Sequence, residues 1–424
     1  MKGDRSLTAN SQLSTNNSQL PKGYKQTEVG LIPKNWETAQ LIKNAKVIDS
    51  LHKTPEFCAD GYSMVRVADI KTGNLRLHET LKVCDAVFEE FIQNYQPKKG
   101  DIVLSRVGSY GVSSFVETDE PFCLGQNTVV IESKIPPRFL YYILNSEYIR
   151  EQIEDKSYGS GYKSLSLRNI KELIVAFPPT IAEQNLIARA LSDTDALIES
   201  LEQLLAKKRQ IKQGAMQELL RPKKSWMNWK LSDVAEIRSG GTPSTTRSEF
   251  WNGDILWCTP TDITALKGQK YLRNTTKLIT VEGLNSSSAE LIPANSIVMT
   301  SRATIGECAI NKVPVSTNQG FKNFVPLDEI DVEFLYYLLQ TQKQRFISLC
   351  AGSTFLEIGK NQLTEFVVSI PNIEEQKAIA TILSDMDLEI GAIETKLTKA
   401  RQLKQGMMHE LLTGKIRLID KGNT

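Results

Sequence analysis

Histidine, cysteine, long apolar runs and net charge are all scarce in this chain of 424 residues. The only histidines are His52, His78 and His409, and none stands at ligand spacing from a cysteine, which argues against a Cys/His zinc site. Six cysteines (Cys58, Cys84, Cys123, Cys258, Cys308, Cys350) lie far apart with no C-x-x-C pair. They read as scattered thiols of a reducing cytosol rather than as a disulfide framework. No apolar run approaches the roughly 20 residues that span a bilayer, and no secretory h-region is present, so a cytoplasmic chain without a membrane partner is expected. The formal charge of +2 means that any nucleic-acid surface must be local or shared with a partner.

Catalytic signatures are missing as well. There is no G-x-x-x-x-G-K-[ST] phosphate loop, no G-x-G-x-x-G after a strand and no G-x-S-x-G elbow. Phe177-Pro-Pro-Thr180 superficially resembles the Asn-Pro-Pro-Tyr motif of adenine methyltransferases but lacks its polar residue, and Ile370-Pro-Asn372 keeps one proline. Both are read as turns leading into helices. The sequence predicts a non-catalytic chain.

What the chain does contain is a repeat. Pro179-Thr-Ile-Ala-Glu-Gln184 opens a segment that passes Leu191-Ser-Asp-Thr-Asp195 and ends in Lys212-Gln-Gly-Ala-Met-Gln-Glu-Leu-Leu220. Pro371-Asn-Ile-Glu-Glu-Gln376 opens its counterpart, through Leu383-Ser-Asp-Met-Asp387 to Lys404-Gln-Gly-Met-Met-His-Glu-Leu-Leu412. The two align without a gap. Upstream, Phe139-Leu-Tyr-Tyr142 returns as Phe334-Leu-Tyr-Tyr337, and Trp36 and Trp229 open stretches taken as corresponding. The period is domain-sized, far above the roughly 20 to 50 residues of solenoid arrays. Two copies of one unit, a globular domain plus a helix, are expected.

The repeated segments are the strongest helix signals. Thr180-Ile-Ala-Glu183 fits a capping box, and Asn372 precedes Glu375 in the same way. Ile187, Leu191, Thr194, Ile198, Leu201 and Leu205 alternate in steps of four and three, as do Ile379, Leu383, Met386, Ile390, Ile393, Leu397 and Ala400. That is an a/d seam, so the two helices are predicted to pack on each other, antiparallel. Gly214 and Gly406 recur inside the runs at about 1 kcal/mol each against alanine, which predicts close backbone approach there. Leu197, Leu204, Ile211, Leu403, Met407 and Leu411 fall outside the seam and leave surface for a partner, while the lysine and arginine runs read as solvated faces.

The intervening parts are mixed α/β. Strand-like runs include 64–68, 101–105, 128–131, 173–177, 254–258, 296–300 and 366–370, and helical stretches cover about 138–156 and 332–351. Their loops are rich in groups that read bases or hold phosphates. In the first half these are Lys53, Ser105, Arg106, Ser109, Tyr110, Gln126, Asn127, Tyr162 and Lys163. In the second they are Thr242, Ser244, Thr245, Arg247, Ser301, Arg302, Thr304, Asn318, Gln319 and Lys360. The same residue types also build ordinary turns. A Ser-Arg pair after a β-run, 105–106 and again 301–302, is the leading candidate for paired contacts.

Taken together, the chain resembles the specificity subunits of type I restriction–modification systems, from about Gly23 onward. The helix strings carry the resemblance, together with Tyr24-Lys-Gln-Thr-Glu-Val-Gly-Leu-Ile-Pro-Lys-Asn-Trp36, Gly240-Gly-Thr-Pro-Ser-Thr245, Phe250-Trp-Asn-Gly-Asp-Ile-Leu-Trp257 and Leu411-Leu-Thr-Gly-Lys-Ile-Arg417. The resemblance implies two pseudo-symmetric target recognition domains separated by two long antiparallel coiled-coil helices. It gives a tail at 1–22, recognition domains at 23–179 and 222–371, helices at 180–221 and 372–413, and a tail at 414–424. It further implies that each domain reads half of a split site in double-stranded DNA, that the helices set the gap, and that two methyltransferase and two restriction subunits join. No cofactor is implied for this chain; S-adenosylmethionine, ATP and Mg²⁺ belong to those partners. A coiled-coil scaffold indifferent to DNA and a self-contained methylase–nuclease are the rival readings.

Overall fold

The computed structural model describes residues 20–156, 163–350 and 356–418. It divides into two units, the described residues of Met1–Ser200 with Leu397–Thr424, and Leu201–Lys396. The predicted tails at 1–22 and 414–424 fall largely outside the described residues. Among these, no helix is long and apolar enough to cross a membrane.

Two long helices organise both units: α1, Ile181–Leu219, and α2, Ile373–Leu412. Their starts follow from local chemistry. Thr180 Oγ1 accepts the Glu183 N–H at 3.4 Å, and Asn372 Oδ1 accepts that of Glu375 at 2.9 Å. The reciprocal half of the predicted box is diverted, because Arg417 Nη2 takes the buried Glu183 carboxylate at 2.7 Å.

In unit 1, Ile187 and Leu191 of α1 share a core with Leu411 and Leu412 of α2. Thr194 lies 3.4 Å from the Met407 sulfur, and Lys404 pairs with Asp195 at 2.6 Å. In unit 2, Ile379, Ala380 and Leu383 of α2 bury with Leu220, and Met216 and Leu219 pack beside them. Lys208 meets Glu389 and Arg209 meets Glu394, each at 2.6 Å. Within each unit, higher positions on one helix meet lower positions on the other, so the helices run antiparallel. Seam residues Ile198, Leu201, Met386 and Ile390 are half-buried, and Leu205, Ile393, Leu397 and Ala400 are buried.

Gly214 and Gly406 differ from expectation. A Cβ built on either meets nothing within 4 Å, so neither marks a tight crossing. Both sit on the exposed helix face, where glycine costs helix stability without a packing return among the described residues.

Each unit has a five-stranded sheet of the same order. In unit 1 it runs Ala45–Asp49, Thr128–Ser133, Ile102–Ser105, Ser113–Phe115, Gly73–Asn74; in unit 2, Ala235–Ser239, Phe321–Pro326, Ser296–Thr300, Cys308–Asn311, Tyr271–Leu272. A smaller sheet of three strands covers one face. The repeated Phe-Leu-Tyr-Tyr helix covers the other, and its second tyrosine anchors the unit to a long helix. Tyr142 donates to Asp195 at 2.8 Å and Tyr337 to Asp387 at 2.6 Å. The predicted helices 138–156 and 332–351 are each broken in two, at Asn145-Ser146 and at Gln342; Ala351 lies outside the described residues.

A two-stranded sheet closes each unit beside the start of a long helix. Glu37–Gln40 pairs with Ile174–Phe177, and Met227–Lys230 pairs with Val367–Ile370. The residue just before each first strand is a buried tryptophan, Trp36 or Trp226. Trp229 is therefore not the partner of Trp36, contrary to the expected correspondence; its place in unit 1 is held by Ala39. In unit 1, Gly414 (φ 69°) presses on Pro33 and Trp36, and a side chain there would collide with the proline ring.

Candidate nucleic-acid interface

At one end of the unit 1 sheet, three strand ends converge because the strands alternate in direction. Thr128 faces Ser105 and Val129 faces Asp49, which brings loops 49–54, 105–111 and 125–127 to one edge. Arg106 is fixed there by its backbone N–H to the Asn127 carbonyl (2.9 Å), its Nη1 to Asp49 (2.9 Å) and its Nε to the Leu165 carbonyl (3.2 Å). Gln126 donates to Thr54 at 3.0 Å, and His52 lies 2.9 Å from Asp49 and 3.5 Å from Arg106. Tyr110 donates to Glu154 at 2.9 Å, and Lys163 meets the same carboxylate at 3.0 Å. Lys53 engages Glu90 at 2.7 Å. Asn127 holds a left-handed φ of 64°, which asparagine tolerates better than most residues.

The equivalent edge of unit 2 gathers loops 239–247, 300–306 and 317–320. Thr242 donates to Gln319, and the Gly241 N–H to the Thr317 carbonyl at 2.9 Å. Any Cβ on Gly240 would run into the Asn318 carbonyl, so the glycine lets two backbones meet. Arg302 pairs with Glu357 at 2.9 Å. Lys322 is nearly buried beside the same carboxylate at 3.9 Å. Burial pushes the Lys322 ammonium below its usual range; Glu357 opposes that, while Arg302 and Lys360 add to it. Ser244 bonds Thr246 at 2.9 Å, and Arg247 lies over the Phe250 ring at 5.4 Å.

A family model described as "Type I restriction modification DNA specificity domain" matches residues 33–212 and 223–402. The chain belongs to that family. The MjaIX specificity subunit of Methanocaldococcus jannaschii is 40% identical over 166 residues, covering 39% of this chain and 38% of that one. The MjaVIII specificity subunit of the same organism is 24% identical over 428 residues, covering 94% and 96%. The crystal structure of the type I S subunit from M. genitalium shares the fold, with a TM-score of 0.57 at 17% identity over 89% of this chain and 96% of that one.

In this specificity subunit, the loop candidates assemble at one strand-end edge per unit. In unit 1 these are Lys53, Arg106, Ser109, Tyr110, Gln126, Asn127 and Lys163; Tyr162 lies outside the described residues. In unit 2, Thr242, Ser301, Arg302, Asn318 and Gln319 share the edge, with Thr304 exposed on the same loop and Lys360 opening the short helix after Glu357. Ser244, Thr245 and Arg247 are exposed further along the 239–247 loop that carries Thr242.

The repeated Ser-Arg pair needs correcting. Ser105 matches Thr300, since each closes the same turn: Ser105 Oγ donates to the Ser109 and Val112 carbonyls, Thr300 Oγ1 to those of Thr304 and Glu307. Arg106 therefore matches Ser301, and Val107 matches Arg302, with Leu165 and Ile358 bonding the respective carbonyls at 106 and 301. The two Ser-Arg strings are out of register by one residue. Ser105 and Ser301 are both fully buried, so neither offers a hydroxyl at the surface. Sequence reading also missed His52, Asp49 and Lys322. The polar pair Lys322-Asn323 set between Phe321 and Phe324 was the available signal for the last.

Proposed function

We propose that this chain reads a two-part DNA sequence for a type I restriction–modification complex, one half-site per unit. One observation carries the proposal: both units present the same loop frame at the same strand ends with different side chains at matched positions. Arg106, Val107 and Gly108 stand where Ser301, Arg302 and Ala303 stand. A common frame with different readers suits an asymmetric site, because arginine favours guanine O6/N7 and amides favour the adenine edge. The exposed groups among the candidates, including Arg302, Gln126, Gln319, Ser109 and Lys360, would read bases or hold phosphates.

In this reading α1 and α2 set the number of unread base pairs between half-sites and present their outer faces to two methyltransferase subunits. Two restriction subunits complete the complex. The chain itself is non-catalytic, and S-adenosylmethionine, ATP and Mg²⁺ act on the partner subunits. Replacing residues 24–178 with another recognition domain should change one half of the methylated motif in single-molecule methylation sequencing. A change in both halves, or in neither, would refute it.

A further inference from the structure

Unit 2 exposes large apolar side chains that neither its core nor a DNA surface explains. In the two-stranded sheet, Met227 faces Ile370 and Trp229 faces Val368; in unit 1 the same register places Glu37 opposite Phe177 and Ala39 opposite Val175. A glutamate and an alanine are thus replaced by methionine and tryptophan, left 61% and 39% exposed. They border an open groove of about 830 Å³ that Leu327, itself 47% exposed, and Ile373 also line. The Leu327-Asp328 wall continues into a second recess of about 350 Å³, which contains Lys377 at its helix side.

The rim is acidic. Asp233, Asp328 and Glu329 are exposed on it, whereas residues 134–136 of unit 1, after the equivalent strand, read Lys-Ile-Pro. The neighbouring cations Lys230 and Lys223 are held by Glu365 and Glu375, each at 2.6 Å. Its position also sets the groove apart from the candidate DNA edge. Ser239 pairs with Lys322 at one end of the sheet, and Ala235 pairs with Pro326 at the other. The groove lies at the Pro326 end. A rim of carboxylates repels phosphates, and exposed tryptophan and methionine are typical anchors of protein interfaces.

We propose that this groove docks a segment of a protein partner in which a large apolar side chain is flanked by lysine or arginine. The outer edge of Met227–Lys230 has no strand partner among the described residues, so an extended segment could add to it through main-chain bonds while its apolar side chain fills the groove. Unit 1 lacks the apolar pair and the acidic loop at the equivalent positions, so among the described residues the site occurs in unit 2 alone.

The test uses the full chain and a fluorescein-labelled nine-residue peptide of alternating lysine and leucine, read by fluorescence anisotropy. The peptide should bind wild type, weaken as salt rises, and lose about tenfold or more in affinity on Trp229→Ala, on Met227→Lys and on Asp328→Lys with Glu329→Lys. Glu37→Ala in unit 1 should leave it unchanged. No binding, equal binding by the variants, or equal binding of a glutamate–leucine peptide would each overturn the proposal. The inference is independent of the half-site reading, since methylation sequencing of the Trp229→Ala strain reports that separately.

Discussion

Lys404 reaches the Asp195 carboxylate at 2.6 Å, and Tyr142 donates to the other oxygen of that carboxylate at 2.8 Å. The lysine comes from the second copy of the repeat and the aspartate and tyrosine from the first. Unit 2 has the reciprocal set, Lys212 on Asp387 with Tyr337 donating at 2.6 Å. The identical strings in the two helices therefore serve one purpose twice: each supplies a lysine to one unit and an aspartate to the other.

Lys404→Ala should destabilise unit 1 by about 1 kcal/mol, the scale of a partly exposed ion pair. Asp195→Ala should cost more, because Tyr142 then loses its charged acceptor. Exchanging the charges, Lys404→Asp with Asp195→Lys, should recover part of the loss. Denaturant unfolding in a double-mutant cycle measures the coupling, and purely additive losses would contradict it.

Glycine substitutions should separate two kinds of site. Gly240→Ala forces a methyl group into the Asn318 carbonyl and should destabilise unit 2 by roughly 2 kcal/mol or more. Gly214→Ala and Gly406→Ala meet open space within a helix, so each should stabilise by up to about 1 kcal/mol. Thermal unfolding of the three variants is sufficient to check the order.

Acid sensitivity should centre on Glu333. Burial works against its charge, but hydrogen bonds from Ser384, Tyr271 and Lys270 outweigh it and hold the carboxyl at about 2. Since the folded value lies below the unfolded one, this stabilisation is fully present above about pH 4.5 and fades as pH falls toward 2. Glu333→Gln should be less stable near neutral pH, where it also takes the charged partner from the buried Lys270, leaving it the Ser384 and Tyr337 hydroxyls, and should lose less stability across that acidic window. Chemical denaturation between pH 2 and 7 reads both effects.

Recognition variants should divide by how the side chain is held. Arg106→Ala removes bonds to Asp49 and to the Leu165 carbonyl, so it should lower unit 1 stability as well as alter DNA recognition. Gln319→Ala removes an exposed amide bonded to the Thr242 hydroxyl at the loop surface, so it should cost little stability while weakening recognition by roughly 1 to 3 kcal/mol at a base it contacts. Methylation sequencing alongside thermal unfolding distinguishes the two, and a Gln319→Ala motif identical to wild type removes that residue from the readers.

The long helices were legible because 39 and 40 residues of one period leave little room for another reading. The central strands were legible from short apolar runs with β-branched residues. What escaped depends on contacts distant in sequence. The two-residue strands Gly73–Asn74 and Tyr271–Leu272 exist only through pairing with distant partners. The Ser-Arg match failed because equivalence is set by turn hydrogen bonds, to which a hydroxyl of serine or threonine contributes equally. The tryptophan match failed because burial, absent from the string, distinguishes Trp226 from Trp229. For Gly214 and Gly406, recurrence could not say which face of the helix a residue occupies.

The docking of Leu411, Leu412 and Gly414 onto the first unit also sets an order of assembly during synthesis. Unit 2 is a single uninterrupted stretch, Leu201–Lys396, and all of it has been translated before residue 397. Unit 1 is begun first yet stays unfinished, with the faces of Ile187, Leu191 and Trp36 uncovered, until residues 397–418 emerge from the ribosome. The half made earliest is thus the last to mature.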